Sequence, residues 1–532
     1  MTPPMTPPMT PPMTPPMTPE LEAYLAGLPR YLHDMPYGWA ERLPEGEALI
    51  EGDTVWRWKR FADEIKTAAA ALVDVGVRPG DRVMFVHENG LAAATLLFAA
   101  SAAGAWAVPV NARLANDEID HIAEHAGARR VLFTADASPD AAAHGARYEA
   151  TPFAWTGAGA VTIGPLGDAK PEPVTGDPAR DVAVLLYTTG TTGRSKGVML
   201  SHRSIVYVAS GPGSPAPLTP DDCSYGALPI SHAYGLCSTF LRAIFHGAKS
   251  LLQARFSAQG MLIALASGVT VCNGVPAMYA RLLEHLEKTG GGLDAPHVRA
   301  VTAGGAPVDP DLARRVGALF GRGVINGYGL TEAGPTVSRS MAGDPDSSGA
   351  PITGVEVRAV GSDGRDVAQG EAGEIWVRGP NLMLGYYRDR DASATALTPD
   401  GWLKTGDIGV LLDDGRIKLV DRAKEIIIRS GFNVSPVEVE EALNAHAGVV
   451  QSAVVGAPVA GNEEVVAFVE VTAGGGADEV ALHSWAREHL APYKRPARIE
   501  IVETLPAAPT GKILKAKLRD RAAALVGDKA RI

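Results

Sequence analysis

Compact apolar runs alternate with alanine-rich stretches from about Leu21 to Arg180. Arg82–Val86, Trp106–Val110 and Arg130–Phe133 are each bounded by Gly, Pro or Asp turns, the pattern of a buried strand. Strands separated by helix-length segments predict parallel sheet with helices packed over it. The same rhythm returns in Leu251–Leu252, Val269–Val271, Ala300–Ala303 and Val324–Asn326. Beyond about Pro351 it gives way to short β-like pieces with Gly-Asp turns: Val355–Val360, Gly373–Arg378 and Gly415–Val420. The last stretch has its own helix-and-strand pattern, including Val437–Asn444, Val449–Val455, Glu464–Val471 and Val480–His489. The expectation is an α/β protein. A large N-terminal domain over residues 20–420 holds parallel-rich sheets covered by helices plus a β-rich subdomain. A small α+β C-terminal domain follows over residues 421–532. Residues 1–19 stand apart as a Met-Thr-Pro-Pro repeat with nothing to bury, which predicts a disordered or polyproline-II-like tail.

Composition narrows the classes. At 532 residues the chain exceeds one ordinary hydrophobic core, and 46% hydrophobic with 20% charged residues is globular. A net charge of −11 argues against a nucleic-acid binder, while leaving room for a local basic site. Cys223, Cys237 and Cys272 lack metal-ligand spacing and read as buried thiols in a reducing, cytoplasmic setting. No charge falls between Glu88 and Arg113, long enough to span a bilayer. Gly104 and Pro109 interrupt it, so it reads as a packed helix (about 90–103) followed by a buried strand, not an integral membrane segment.

The densest chemistry lies in Tyr187-Thr-Thr-Gly-Thr-Thr-Gly-Arg-Ser-Lys-Gly197, which follows the apolar run Val182–Leu186. Three glycines let backbone N–H groups converge, and four threonines and Lys196 add donors, a combination suited to a polyphosphate. The spacing is not that of a Walker A loop, because Lys196 follows Ser195 and precedes Gly197.

Four further segments accompany it: Pro229-Ile-Ser-His-Ala-Tyr-Gly235; Thr302-Ala-Gly-Gly-Ala-Pro307 leading to Asn326-Gly-Tyr-Gly-Leu-Thr-Glu-Ala-Gly-Pro335; Thr405-Gly-Asp407 followed by Asp421–Pro436; and Pro509-Thr-Gly-Lys-Ile513. In this order the set resembles the AMP-forming adenylating enzymes: acyl- and aryl-CoA ligases, luciferases and adenylation domains. The resemblance implies an acid–CoA ligase that activates a carboxylic acid with ATP, releases pyrophosphate, and passes the acyl group to coenzyme A with loss of AMP. Charge gathers on phosphoryl oxygens during the first step, so the site must position and neutralise them.

By resemblance, Thr188, Thr189, Gly190, Thr191, Thr192, Gly193 and Lys196 hold the β- and γ-phosphates. Thr331 donates to the α-phosphate and Glu332 binds Mg²⁺, which needs only one or two carboxylates beside phosphates. Gly304, Gly305, Ala306, Pro307 and Tyr328 line the adenine pocket, and Asp407 binds the ribose with Arg422 nearby. Lys512 bridges acyl carboxylate and phosphate from the small domain, and His232 sits beside the acyl carboxylate. The small domain is mobile, pivoting at Lys424 to bring Ser430 and Gly431 toward the pantetheine arm. Tyr234, Asn273, Gly304, Gly305, Gly329, Pro335 and Thr336 become acyl-pocket neighbours.

That neutral set argues against a dicarboxylate, which would need a buried counter-charge. Aliphatic and hydroxycinnamate-like acids both fit; Ile428 stands where plant coumarate ligases and luciferases carry lysine. The alternative acceptor is a carrier protein's phosphopantetheine, and a nucleotide-binding regulator is the competing class. A lysine acetyltransferase acting at Lys512 would switch such an enzyme off by removing its cation.

Overall fold

The structure, a computed structural model, describes residues 17–188, 195–344, 347–422, 425–429, 432–459, 462–472, 477–508 and 513–527. Most of the Pro-Pro repeat lies outside the described residues; its last threonine, Thr18, caps the helix Pro19–Ala26 by accepting from Leu21 N.

Two large sheets form the main body. The eight-stranded sheet has at its centre the parallel strands Val182–Thr188, Trp106–Asn111, Arg82–His87 and Ala128–Phe133. The nine-stranded sheet runs parallel through Glu47–Glu51, Lys249–Leu252, Cys223–Gly226, Val271–Gly274, Ala300–Ala303 and Val324–Tyr328. Ser338–Arg339 then adds antiparallel to the last of these. A four-stranded antiparallel sheet (Glu356–Val360, Ala372–Arg378, Leu403–Leu411, Ile417–Arg422) forms the β-rich part expected after residue 351.

The charge-free stretch after Glu88 resolves into the helix Leu91–Ala102 and the strand Trp106–Asn111. Residues 91–101 of that helix are all buried, and it touches strands of both large sheets. A helix apolar on every side belongs in a core of this kind. Among the described residues no helix is long and apolar enough to cross a membrane. Cys223, Cys237 and Cys272 are buried and unbridged.

The smaller C-terminal domain is built on Val449–Val459, Asn462–Val471 and Arg498–Val502, with the helices Pro436–Asn444, Glu479–His489 and Lys515–Gly527 against them. It touches the main body through Arg281, whose Nη2 lies 2.6 Å from Glu470 Oε2. Arg281 also contacts Glu284 at 3.0 Å, and Gln451 donates to Glu470 Oε1 at 2.9 Å.

Candidate active site

The threonine- and glycine-rich segment joins two antiparallel strands. Val182–Thr188 and Lys196–Ser201 pair antiparallel, with Thr188 opposite Lys196. A Walker A loop runs from strand into helix; this one runs from strand into strand, which agrees with the failed spacing. Thr189, Gly190, Thr191, Thr192 and Gly193 lie outside the described residues.

Lys196 stands at the foot of the hairpin, its Nζ 4.9 Å from the centroid of the Tyr386 ring and 4.0 Å from Asp389 Oδ2. Gly385–Tyr386 is an edge strand paired with Met199 and Val198, which places Tyr386 beside the hairpin. The Tyr386 hydroxyl donates to Glu332 Oε1 at 2.8 Å. Burial, and then the neighbouring Glu332 carboxylate, pushes this phenol up, so it stays a donor. Thr331 and Glu332 sit on the single 3₁₀ turn Thr331–Ala333, closed by Gly334 at φ 70°. Asn381 Nδ2 pins that turn by donating to the carbonyls of Ala333 (2.9 Å) and Thr336 (3.0 Å). Gly329 is required where it stands: a Cβ there would lie 1.5 Å from the Pro335 carbonyl oxygen.

Tyr328 ends its strand with its hydroxyl donating to Asp407 Oδ2 at 2.7 Å. Asp407 is buried and pairs across the sheet with Arg422. Its turn is braced by Glu374, which accepts from Gly406 N at 3.0 Å, and by Thr405, whose Oγ1 accepts from Asp407 N at 3.1 Å. Gly305, at φ 77°, and Pro307 are exposed, whereas Gly304 is buried and a Cβ on it would meet the Tyr234 ring at 3.1 Å. The two glycines therefore let the Thr302–Pro307 turn close onto Tyr234.

Tyr234 begins a π-helical segment, Tyr234–Leu241. Its hydroxyl lies 3.2 Å from Thr302 Oγ1, and Thr302 donates to Asn273 Oδ1 at 2.9 Å. Since Thr302 has one proton to give, Tyr234 is the donor to it. Asn273 Nδ2 donates onward to Ser224 Oγ at 2.9 Å, so Asn273 is buried and reaches Tyr234 through Thr302. Thr336 is also buried, its hydroxyl 2.9 Å from Ser238 Oγ. His232 Nδ1 accepts from the backbone N–H of Tyr234 at 3.3 Å, which leaves the proton of a neutral ring on Nε2.

The structure thus gathers Thr188, Lys196 and Glu332 on one side, and Tyr234, Asn273, Gly304 and His232 on another, with Tyr328 and Asp407 forming a third group. Lys512, Lys424, Ser430 and Gly431 lie outside the described residues, and of Arg422 only the backbone is described. Residues not singled out from sequence are Tyr386, Thr302, Glu374, Arg242 and Arg339. The Tyr386–Tyr387 pair after Gly385 was a visible signal for the first. The charge of Arg339 and Arg242 reaches Tyr234, so the neutral set drawn from sequence leaves out two cations near it.

Residues 37–387 match the AMP-binding enzyme family, and residues 438–512 match the AMP-binding enzyme C-terminal domain. The chain belongs to the AMP-binding enzyme family. Within this AMP-forming acyl-CoA synthetase superfamily it is similar to a feruloyl-CoA synthase of Amycolatopsis, 36% identical over 500 residues that cover 92% of this chain and 99% of that protein. A sulfoacetate–CoA ligase of Cupriavidus necator is 33% identical over 504 residues, covering 91% and 96%. Among solved structures, ATP-bound MatB from Rhodopseudomonas palustris superposes with a TM-score of 0.79 at 28% identity, covering 93% of this chain and 99% of that one.

Proposed function

We propose that this AMP-forming acid–CoA ligase adenylates an organic acid on ATP held between the 188–196 hairpin, Glu332 and Asp407, then transfers the acyl group to free coenzyme A. The observation that carries the reading is the Lys196–Tyr386–Glu332 bridge, which ties the foot of a phosphate-type hairpin to a carboxylate of fixed orientation.

ATP lies with its polyphosphate along the hairpin, its α-phosphate at Thr331, its adenine by Gly304–Pro307 and Tyr328, and its ribose on Asp407. Glu332 is the ligand offered to Mg²⁺, which on a nucleotide needs one or two protein carboxylates and supplies charge neutralisation for the departing pyrophosphate. Among the described residues no group of three or more His, Cys, Asp and Glu gathers, and a single carboxylate fits that requirement. Tyr386 keeps Glu332 aimed by donating to the oxygen opposite the one left for binding. Lys512 and His232 seat the acyl carboxylate, and attack on the α-phosphorus expels pyrophosphate.

The small domain, bounded near Asp421, then turns about Lys424, withdrawing Lys512 and presenting Ser430 and Gly431 to the thiol. The acyl body, aliphatic or aromatic, lies against Tyr234, with Gly329, Gly304, Pro335 and Thr336 close by. Free coenzyme A is preferred over a carrier protein because the similar proteins are named as CoA ligases. Acetylation at Lys512 is expected to stop adenylation.

Product analysis tests this directly. With a panel of acids, pyrophosphate and AMP should appear together with an acyl-CoA thioester; ADP and orthophosphate would overturn the reading. Lys512→Ala should lose adenylation while still converting supplied acyl-adenylate to thioester. Equal loss of both half-reactions would refute the rotation.

A further inference from the structure

Two arginines converge on Gly211, their charge reaching Tyr234, and no carboxylate among the described residues hydrogen-bonds to either. Arg242 follows directly on the π-helical segment and is buried. Arg339 lies on the strand Ser338–Arg339, opposite Gly327. Both come from segments that carry acyl-pocket neighbours, Tyr234 in one case and Pro335 and Thr336 in the other. They converge on Gly211, where a Cβ would stand 3.2 Å from Arg242 Nε, 3.6 Å from Arg339 Nη1 and 3.8 Å from His246 Nε2.

Their hydrogen bonding is incomplete. Arg242 Nη2 donates to Ser214 Oγ at 2.6 Å and to the Ala216 carbonyl at 2.5 Å. Arg242 Nε and both Nη atoms of Arg339 are shielded from solvent and have no hydrogen-bond partner among the described residues. Asp222, whose charge reaches Arg242, is already held by Arg299 through two contacts of 2.6 Å and by Thr270 at 2.7 Å.

The other ionisable groups nearby cannot supply a negative charge. Burial pushes the phenols of Tyr234 and Tyr207 up, so they stay protonated. Burial, and then Arg242, pushes His246 down to about 4, so at neutral pH it is uncharged. Burial lowers Arg242 to about 9 and Arg339 to about 10, which leaves both charged at neutral pH. Buried cations without an anion are strongly unfavourable, and a guanidinium fork is well matched to an oxyanion.

We propose that Arg339 and Arg242 form a subsite for a second carboxylate of the acid substrate, at the end of the acyl group remote from the carboxylate that is adenylated. The assignment rests on the proposed placement of the acyl group against Tyr234. It reverses the exclusion of dicarboxylic acids drawn from the neutral residues alone. The distal carboxylate accepts from the two Nη groups of Arg339 and from Arg242 Nε, next to Gly211, where no Cβ stands against these donors.

The test compares acids matched in length, with and without a second carboxylate: butyrate and succinate, hexanoate and adipate, octanoate and suberate, benzoate and terephthalate. Pyrophosphate release with coenzyme A present is the readout. In at least one pair the diacid should have a kcat/KM about tenfold higher or more, expressed mainly in KM. Arg339→Met should erase that preference, and Arg339→Lys should restore part of it. Because Arg339→Met removes an unpartnered charge, its melting temperature should hold or rise, and the preferred diacid should no longer raise it.

Monoacids turned over as well as or better than every matched diacid, or an unchanged ratio in Arg339→Met, would overturn the subsite and leave the ligase standing. No pyrophosphate release from any acid would overturn the ligase reading and the subsite with it.

Discussion

At the proposed nucleotide end of the site, Glu332, Lys196 and Asp407 each rest on a partner from the chain: the Tyr386 hydroxyl, Asp389 with the Tyr386 ring, and the Tyr328 hydroxyl. Around Gly211 the arrangement is opposite, with donor groups of Arg242 and Arg339 buried and without a hydrogen-bond partner among the described residues. Groups that serve a chemistry common to many acids are held before any ligand arrives, which favours preorganised electrostatics. The groups proposed above to choose among acids are left unsatisfied, so that only a ligand bearing the complement would relieve them. The difference separates machinery from selectivity by a simple criterion, whether the polar atom already has a protein partner.

Substitutions at the two ends should therefore behave differently across a panel of acids. The largest effect is expected from Glu332→Gln, which removes the carboxylate proposed to bind Mg²⁺: pyrophosphate release should fall about a hundredfold or more. The loss should be of similar size for every acid, and thioester formation from supplied acyl-adenylate should fall much less. An acid-dependent loss would break the contrast. Tyr386→Phe keeps the ring under Lys196 but removes the donor to Glu332, and should cost about tenfold, again irrespective of acid. A variant as active as the parent would show that Glu332 needs no such brace.

The smallest effect concerns pH. Burial holds His87 and His246 down to about 4 and His202 down to about 3. Below the ordinary value of 6.5 the unfolded chain takes up protons that the folded chain refuses. Stability present above 6.5 is therefore lost as pH falls toward about 4. Melting temperatures followed through this window should decline. His246→Gln, at the acyl end, should flatten that decline; an unaltered profile would show that His246 titrates normally.

Much of the fold was legible because buried strands announce themselves as apolar blocks. Arg82–Val86 and Trp106–Val110 fall within the observed strands Arg82–His87 and Trp106–Asn111, and the helix between them runs over Leu91–Ala102. The strand expected at Val269–Val271 instead spans Val271–Gly274. It carries polar Asn273 just before its last residue, whose amide enters the network between Ser224 and Thr302, and apolar counting misses a strand half made of Asn and Gly. Glu332 and Asp407 were legible because each sits in a short motif whose spacing the backbone dictates. Tyr386 acts from an edge strand more than fifty residues beyond Glu332, a proximity created by its pairing with the strand Lys196–Ser201 and by the Asn381 contacts to the Glu332 turn. Arg242 and Arg339 were illegible for a physical reason. An arginine reads the same from its neighbours in sequence, apolar for Arg242 and serine for Arg339, whether its head reaches water or not, and only the closed fold shows that these donors do not.

The contact between Arg281 and Glu470 has a consequence for movement between the two domains. Breaking it strands neither ion, since Glu284 stays with the arginine and Gln451 with the glutamate. Such a clasp can open and shut repeatedly without either half meeting bare hydrocarbon. Because part of the attraction passes through water at the partly exposed arginine, added salt should loosen it, so the proposed turning of the small domain should depend on ionic strength.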